Sequence, residues 1–407
     1  MKLTNSISQN NIKSYVWHAA FLALAQNFMD VDTIIPAMLI DAGGTSFHIG
    51  LLTAIMLGGS SFTQLFFTPM LSGKSRKKGY LLFGINLRVL ALLGLGLLLF
   101  WFATEADNSA IIWIIFILIT LFSISGAFSA ISYSDILGRS VLKEKRKPFL
   151  SIRQAISSVG ILISAYFAGT VLVEFVYPEN YGWLFIIAAS SLFIATFGFW
   201  NLKEIPGPIV RFNGLTSFFR TVRDEIKSNP RLKQYLLLVN TLGISISLMP
   251  FLILYAKENY GFEGAAIGSF LLLKVVAGVL FGTLIFFFSK KLKYTVLLYA
   301  IAGLSLLIPT SLYLLEMKNV FGIYFFIGGA IYTLYKVAIE GILLEVSDNQ
   351  NRTIYIGIVG VGNILPTLFP IFSGWLIPAF GFPSFFGMFS IIILTSVFII
   401  PKLGCKK

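Results

Sequence analysis

The sequence predicts an all-α membrane protein in which twelve transmembrane helices form two pseudo-symmetric six-helix bundles. Three observations carry this. Of 407 residues, 57% are hydrophobic and only 12% charged, far from the balance of a soluble domain. Apolar runs near the roughly 20 residues that cross a bilayer core of about 30 Å recur along the whole chain. A single long polar interruption, from Lys203 to Lys233, divides those runs six and six.

Taken in order, the spans fall at 16–40, 47–71, 80–103, 110–137, 150–175 and 182–202, then at 232–256, 264–289, 293–315, 319–343, 353–378 and 382–401. Residues 1–15 form an N-terminal tail, 16–202 the first bundle, 203–231 a linker, 232–402 the second bundle and 403–407 a C-terminal tail. The first run carries Asp30 and Asp32 and has no small-residue cleavage site, so it is expected to stay in the membrane rather than be removed as a signal peptide. Within the linker, Leu215, Phe218, Phe219, Val222 and Ile226 share one helical stripe and Arg220, Arg223 and Lys227 another, with Pro230 ending the run. This predicts a basic amphipathic helix lying on the membrane surface.

The net charge of +13 would suit a nucleic-acid binder, but its placement excludes that reading. With the N-terminus cytoplasmic, about 26 of the 31 Lys and Arg residues fall on one side of the membrane, including Lys74, Arg76, Lys77, Lys78, Lys143, Lys145, Arg146 and Lys147. The opposite loops carry Glu105, Asp107, Glu174, Glu179, Glu258 and Glu263. Both termini are therefore expected in the cytoplasm of a multi-pass protein of a bacterial inner membrane. Cys405 is the only cysteine, and His18 and His48 have no metal-ligand spacing, so no disulfide, metal site or cofactor is expected.

The two halves resemble one another. "HIGLLTAIMLGGSSFTQLFF" runs into basic "GKSRKKG" as "AIGSFLLLKVVAGVLFGTLIFF" runs into "SKKLKY". "SYSDILGRSVLKEKRKPFLSIRQ" likewise parallels "VAIEGILLEVSDNQNRTIYIGIV", setting Asp135 near Glu340, Arg146 over Arg352 and Phe149 over Tyr355. The repeats keep one orientation and lie about 206 to 218 residues apart, as in a parallel duplication of a six-helix unit.

On these features the chain resembles the major facilitator superfamily over nearly its whole length: twelve spans, a central cytoplasmic loop, duplicated halves and a basic loop between spans 2 and 3. That family's loop pattern, G-x-L-A-D-R-x-G-R-K, lies over "TPMLSGKSRK", where Arg76 and Lys77 match, Thr68 replaces Gly and Ser72 replaces Asp. The glycine-proline motif of many family antiporters is missing from "SSVGILISAYFAGTVLV". The resemblance implies the family's fold, with spans 1, 4, 7 and 10 lining a central cavity.

Ionisable residues within the spans are the candidate functional groups, because each costs roughly 2.5 to 3.5 kcal/mol at the bilayer centre even on the gentler scales. In "AQNFMDVDTIIPAML", a straight helix sets Ala19, Ala23, Gln26, Asp30, Thr33 and Ala37 on one small, polar stripe and Asp32 nearly opposite, with Pro36 bending the helix. Given the cavity that the resemblance implies, Asp30 is expected to bind a proton or a cationic substrate group, with Gln26 and Thr33 beside it. Asp32 is expected in an ion pair, Arg88 of span 3 being its first candidate partner. Lys274, mid-span beside Ala277, Gly278 and Gly282, cannot snorkel to a surface; it would bind an anionic substrate group or bridge to an aspartate of the first half as a gate. Lys336 has Glu340 at i+4 and Tyr332 and Thr333 nearby on a polar face, and Asn240 is an uncharged cavity candidate, as are Gln64 and Asn363. Asp135, Arg139, Glu340 and Arg352, with Arg76 and Lys77, are expected as gating or structural charges near the cytoplasmic side. "GIVGVGN" opens an apolar helix with no preceding strand, so it suits close helix packing rather than dinucleotide binding.

These residues point to a secondary transporter that moves a small organic solute by alternating access, coupled to protons and acting as a monomer in the lipid bilayer. No Walker pattern is present. An embedded enzyme would need a nucleophile or acid-base constellation that the spans lack, so the protein is not expected to be an enzyme. The alternative is a lipid scramblase or flippase on the same scaffold.

Overall fold

The computed structural model describes residues 3–102, 108–207, 209, 215–288, 292–314, 318–346, 358 and 362–403. Among them there are helices and no strands. The chain folds as α1 (Asn5–Gln26), α2 (Ile34–Asp41), α3 (Ser46–Ser72), α4 (Lys78–Phe102), α5 (Asn108–Ser140), α6 (Lys143–Glu174) and α7 (Glu179–Trp200). It continues as α8 (Leu215–Ser228), α9 (Pro230–Leu242), α10 (Leu248–Tyr260), α11 (Gly264–Phe288), α12 (Tyr294–Leu314), α13 (Gly322–Val346) and α14 (Ile364–Ile399). Nine of the described helical stretches are long and apolar enough to cross a membrane. The last of these joins two spans at Gly381, whose φ of 76° only glycine adopts easily; α3 and the broken first span complete the twelve expected.

The first span departs most from its expected form. Its helix starts at Asn5, well before residue 16, where Thr4 caps it by accepting from the Ile7 amide at 3.3 Å. One face of the added turns is polar yet buried, because Ser8 and Asn11 satisfy neighbouring backbone. Asn11 donates to the carbonyls of Ser140 (3.1 Å) and Lys203 (2.9 Å) and accepts from the Lys203 amide, and Ser8 accepts from the Leu142 amide. Hydropathy cannot see a helix held this way.

At its other end α1 tightens into a 3-10 turn over Asn27–Met29 and leaves helical geometry at Asp30 (φ −64°, ψ 125°) before α2 begins. The expected bend at Pro36 is thus replaced by a break several residues earlier. Pro36 is the third residue of α2, where the amide hydrogen it lacks would have had no helical partner. The seventh span tightens at the corresponding place without leaving helical geometry, through a 3-10 segment Gly243–Ser247 between α9 and α10, with Pro250 as the third residue of α10. The duplication seen in sequence is repeated in backbone irregularity.

Two compact units emerge. The first comprises residues 1–30, 41–43 and 59–218 and is built on α1, α4, α5, α6 and α7. Small residues let its helices close: a Cβ on Gly160 would lie 2.8 Å from that of Ala23, and one on Gly198 would lie 2.5 Å from the Ser14 carbonyl oxygen. Tyr181 holds the Asp41 carboxylate at 2.8 Å. The nearby loop residue Tyr177 has its hydroxyl pKa raised, first by burial and then by that same carboxylate.

The second unit comprises residues 31–40, 44–58 and 219–407, so it gathers α2 and the start of α3 together with α9 to α14. There the start of α3 lies directly on the first part of α14. Ser46 donates to the Gly374 carbonyl at 3.0 Å, the Pro370 carbonyl occupies the space a Cβ on Gly50 would need, and Thr367 does the same at Gly58. His48 reaches back to the Thr45 amide at 3.0 Å and fixes the first turn of α3. The linker helix α8 forms as expected, with Val222 buried and Arg220 and Arg223 exposed; Asn229 then caps α9 and Pro230 opens it.

Candidate functional site

The break in span 1 places two aspartates, two residues apart, against opposite helix ends. Asp30 closes the 3-10 turn after α1, its amide bonded to the Asn27 carbonyl at 3.4 Å, and is buried. It therefore sits at the carbonyl end of a helix, which attracts positive charge. Asp32 precedes α2, whose first turn is closed by the bond from the Ala37 amide to the Thr33 carbonyl. That end presents N–H groups and suits a carboxylate.

Asp32 meets Lys274 of α11, with Nζ to Oδ2 at 2.5 Å and side-chain exposures of 13% and 10%. The partner expected from sequence, Arg88, is not the one found. The straight-helix projection does not hold here because the backbone turns at Asp30, and Asp32 and Thr33 belong to the second unit while Arg88 lies in the first. The backbone of α11 at Lys274 is itself pressed against α13, where the Lys274 carbonyl fills the place of a Cβ on Gly329. Lys274 is thus held at a fixed height between close-packed helices.

Other residues singled out in the sequence have varied settings. Gln26 is exposed, Thr33 is buried, and Tyr332, Lys336 and Glu340 lie exposed on one face of α13. Asn240 spends its amide on backbone: it donates to the carbonyls of Leu236 and Gly362 and accepts from the Leu365 amide at 2.8 Å, bracing the start of α14. That use leaves it a positioning role. The Asn363 carboxamide oxygen is buried without a hydrogen-bond partner. Arg352, Tyr355 and most of "GIVGVGN" lie outside the described residues, as does the side chain of Gln64.

In the first unit, Asp135 binds both Lys77 (2.9 Å) and Arg139 (2.5 Å), gathering three of the expected gating charges. Arg76, one residue away, is exposed. Sequence reasoning missed Glu204, whose carboxylate accepts from the amides of Lys77 and Lys78 at the N-terminus of α4, while the Lys78 ammonium caps α7 through the Trp200 and Leu202 carbonyls. Asp135 and Glu204 together secure the loop whose family-pattern aspartate is Ser72 here. A glutamate just past the end of a span, opposite a basic loop, was the only signal for this in the sequence.

Arg88 stands in the middle of α4 with its guanidinium 4.2 Å from the centre of the Phe122 ring and its Nε buried without a partner. Among the described residues no carboxylate pairs with it. An aromatic face returns about 0.5 to 2 kcal/mol, against the roughly 2.5 to 3.5 kcal/mol cost of a charge at that depth.

A family model for the Major Facilitator Superfamily matches residues 17–333. The chain belongs to that superfamily. No curated protein sequence matches it. Among solved structures it is similar to the nucleoside transporter NupG (TM-score 0.70, 14% identity, 97% of this chain and 100% of that one covered). A POT family transporter in complex with a thioalcohol-conjugated peptide gives a TM-score of 0.72 at 13% identity, covering 97% and 96% of the two chains. A D-xylose-proton symporter gives 0.67 at 14% identity over 97% and 96%. Identities this low establish the shared fold alone. As a Major Facilitator Superfamily protein the chain is an integral, multi-pass membrane transporter and not an enzyme.

Proposed function

We propose that this Major Facilitator Superfamily protein is a secondary active transporter that carries a small organic solute by alternating access, coupled to protons at Asp30. The observation that supports it best is the break in span 1, matched by a 3-10 tightening at the corresponding place in span 7, with the Asp32–Lys274 ion pair beside the break. Interrupted helices at mid-membrane supply unpaired backbone groups and oriented dipoles, which is how such carriers hold ions and solutes. The pair joins a residue of the first sequence repeat to one of the second, and in the same unit α3 lies on α14 through Ser46, Gly50, Gly58, Thr367, Pro370 and Gly374. In this reading these contacts form a gate on the side opposite the basic loops, and those loops and both termini face the cytoplasm.

The similarity to a proton symporter is in keeping with coupling through a carboxylate, and Asp30, at the carbonyl end of α1, is the residue assigned to it. Uptake into proteoliposomes under an imposed pH gradient tests the assignment, using a panel of nucleosides, sugars and organic acids. Asp30→Asn is expected to abolish accumulation against a gradient while leaving solute exchange intact. Unchanged pH-driven accumulation in that variant would end the proposal.

One observation favours a second reading, lipid movement. The second unit has a cavity of about 770 Å³ among α10, α12 and α14, lined by Tyr255, Tyr313, Phe382 and Phe386 with Asn259 and Ser390. A dithionite assay with fluorescent phospholipid in the same proteoliposomes separates the two: fast bleaching of the inner leaflet supports the lipid reading.

A further inference from the structure

The unpaired guanidinium of Arg88 defines a strip in the first unit that the gate and proton assignments do not use. Phe122, the platform beneath Arg88, begins a line of residues along one face of α5 that continues through Gly126 and Ala130 to Tyr133. A Cβ on Gly126 would meet no atom within 4 Å, and Ala130 is exposed, so the middle of this face is open. At the far end of the strip, about 16 Å along the helix axis, Tyr133 accepts a hydrogen bond from Arg153 Nη1 at 2.8 Å. Arg153 lies 5.9 Å from the Phe149 ring centre and, like Arg88, has no carboxylate partner among the described residues. The nearby acids are committed elsewhere: Asp135 to Lys77 and Arg139, Glu204 to the start of α4.

A membrane-embedded strip with two cations, aromatic platforms, open space and no counter-ion lacks an anion. We propose that Arg88 binds the anionic group of the transported solute on this strip, so that the substrate class is small organic carboxylates or phosphate esters. This rests on the transporter reading above and deepens it. Arg88 presents a planar fork of N–H donors that matches either oxyanion, and the Phe122 face holds the fork in plane. Arg153 supplies a second positive centre at the far end of the strip.

The test uses the purified full chain in neutral detergent, with unfolding followed by tryptophan fluorescence. The probes are succinate, inorganic phosphate and glycerol 3-phosphate, with glycerol as the uncharged control and phosphatidylglycerol micelles as the lipid arm. At least one small anion is expected to raise the midpoint in a saturable way. Arg88→Gln should weaken that anion's apparent affinity about tenfold or more, while unfolding no earlier than the parent without ligand, because it removes a buried charge that only an aromatic face offsets. Arg88→Lys keeps the charge without the fork and is expected to bind with intermediate affinity, which preserves the test should the glutamine variant not fold. The proposal is overturned by the absence of a shift with all three anions, by an equal shift in the Arg88→Gln protein, or by a shift with phosphatidylglycerol alone. Counterflow of an uncharged solute at equal rates in parent and Arg88→Gln proteoliposomes would leave the transporter reading standing and remove this one.

Discussion

Breaking the Asp32–Lys274 pair one partner at a time should give unequal losses of stability. Both side chains are almost closed off, so little solvent is available to a stranded charge. Removing one member of such a pair typically costs about 3 to 5 kcal/mol, much more than the pair itself contributes. The asymmetry follows from the backbone. Asp32, once Lys274 is replaced, still lies ahead of the N-terminal turn of α2, whose N–H groups compensate a carboxylate by about 0.3 to 1 kcal/mol. Lys274, once Asp32 is neutral, sits in the interior of α11, where the backbone carbonyls are already used by the helix. Lys274→Met is therefore expected to cost about 3 kcal/mol and Asp32→Asn about 4 kcal/mol, with the double variant within about 2 kcal/mol of the parent. Thermal unfolding in detergent at one fixed scan rate measures this, since such unfolding is commonly irreversible. At about 2 °C per kcal/mol, the midpoints should fall by roughly 6 and 8 °C for the single variants and by less than about 4 °C for the double. A double variant no more stable than the worse single, or a Lys274→Met protein less stable than Asp32→Asn, would refute the reasoning.

Gly50→Leu puts a side chain where the Pro370 carbonyl lies and should lower the unfolding midpoint by an amount equivalent to about 1 to 3 kcal/mol, whereas Gly126→Ala, placed in open space, should leave it unchanged; size-exclusion profiles and unfolding curves compare the two. Glu204→Ala removes the acceptor for two amides at the start of α4 and is expected to cost about 1 to 2 kcal/mol, read as faster proteolytic cleavage within residues 73–77. Asn240→Ala leaves backbone groups at the start of α14 unsatisfied and should cost about 1 to 3 kcal/mol without changing solute affinity in binding assays.

Much of the fold was legible because hydropathy and length are local properties. From α3 onward most observed helix ends fall within a few residues of the expected spans, although α6 starts at Lys143 rather than 150 and α14 at Ile364 rather than 353, and the amphipathic pattern of the linker helix and its Pro230 boundary are local features. The first span was legible only in part. Its extension to Asn5 depends on Ser8 and Asn11 finding backbone partners more than a hundred residues away, and no window of sequence reports that. Its break could have been found: Pro36 follows Ile34 and Ile35 as Pro250 follows Leu248 and Met249 in the other repeat, and both prolines prove to stand in the first turn of a new helix. Of the candidate site, the grouping of Lys77, Asp135 and Arg139 contains residues singled out from sequence, while Glu204 was hidden because its work is done on backbone amides.

The sequence by itself determined that this chain crosses the membrane many times and which few side chains would be costly there, since each follows from the solvation of individual residues. Only the tertiary structure decided which charge meets which. Asp32 and Lys274 lie 242 residues apart, and their meeting depends on a backbone break at Asp30 and on the close approach of α11 and α13 at Gly329. Electrostatic energy varies with distance and burial, and both are properties of the packed helices.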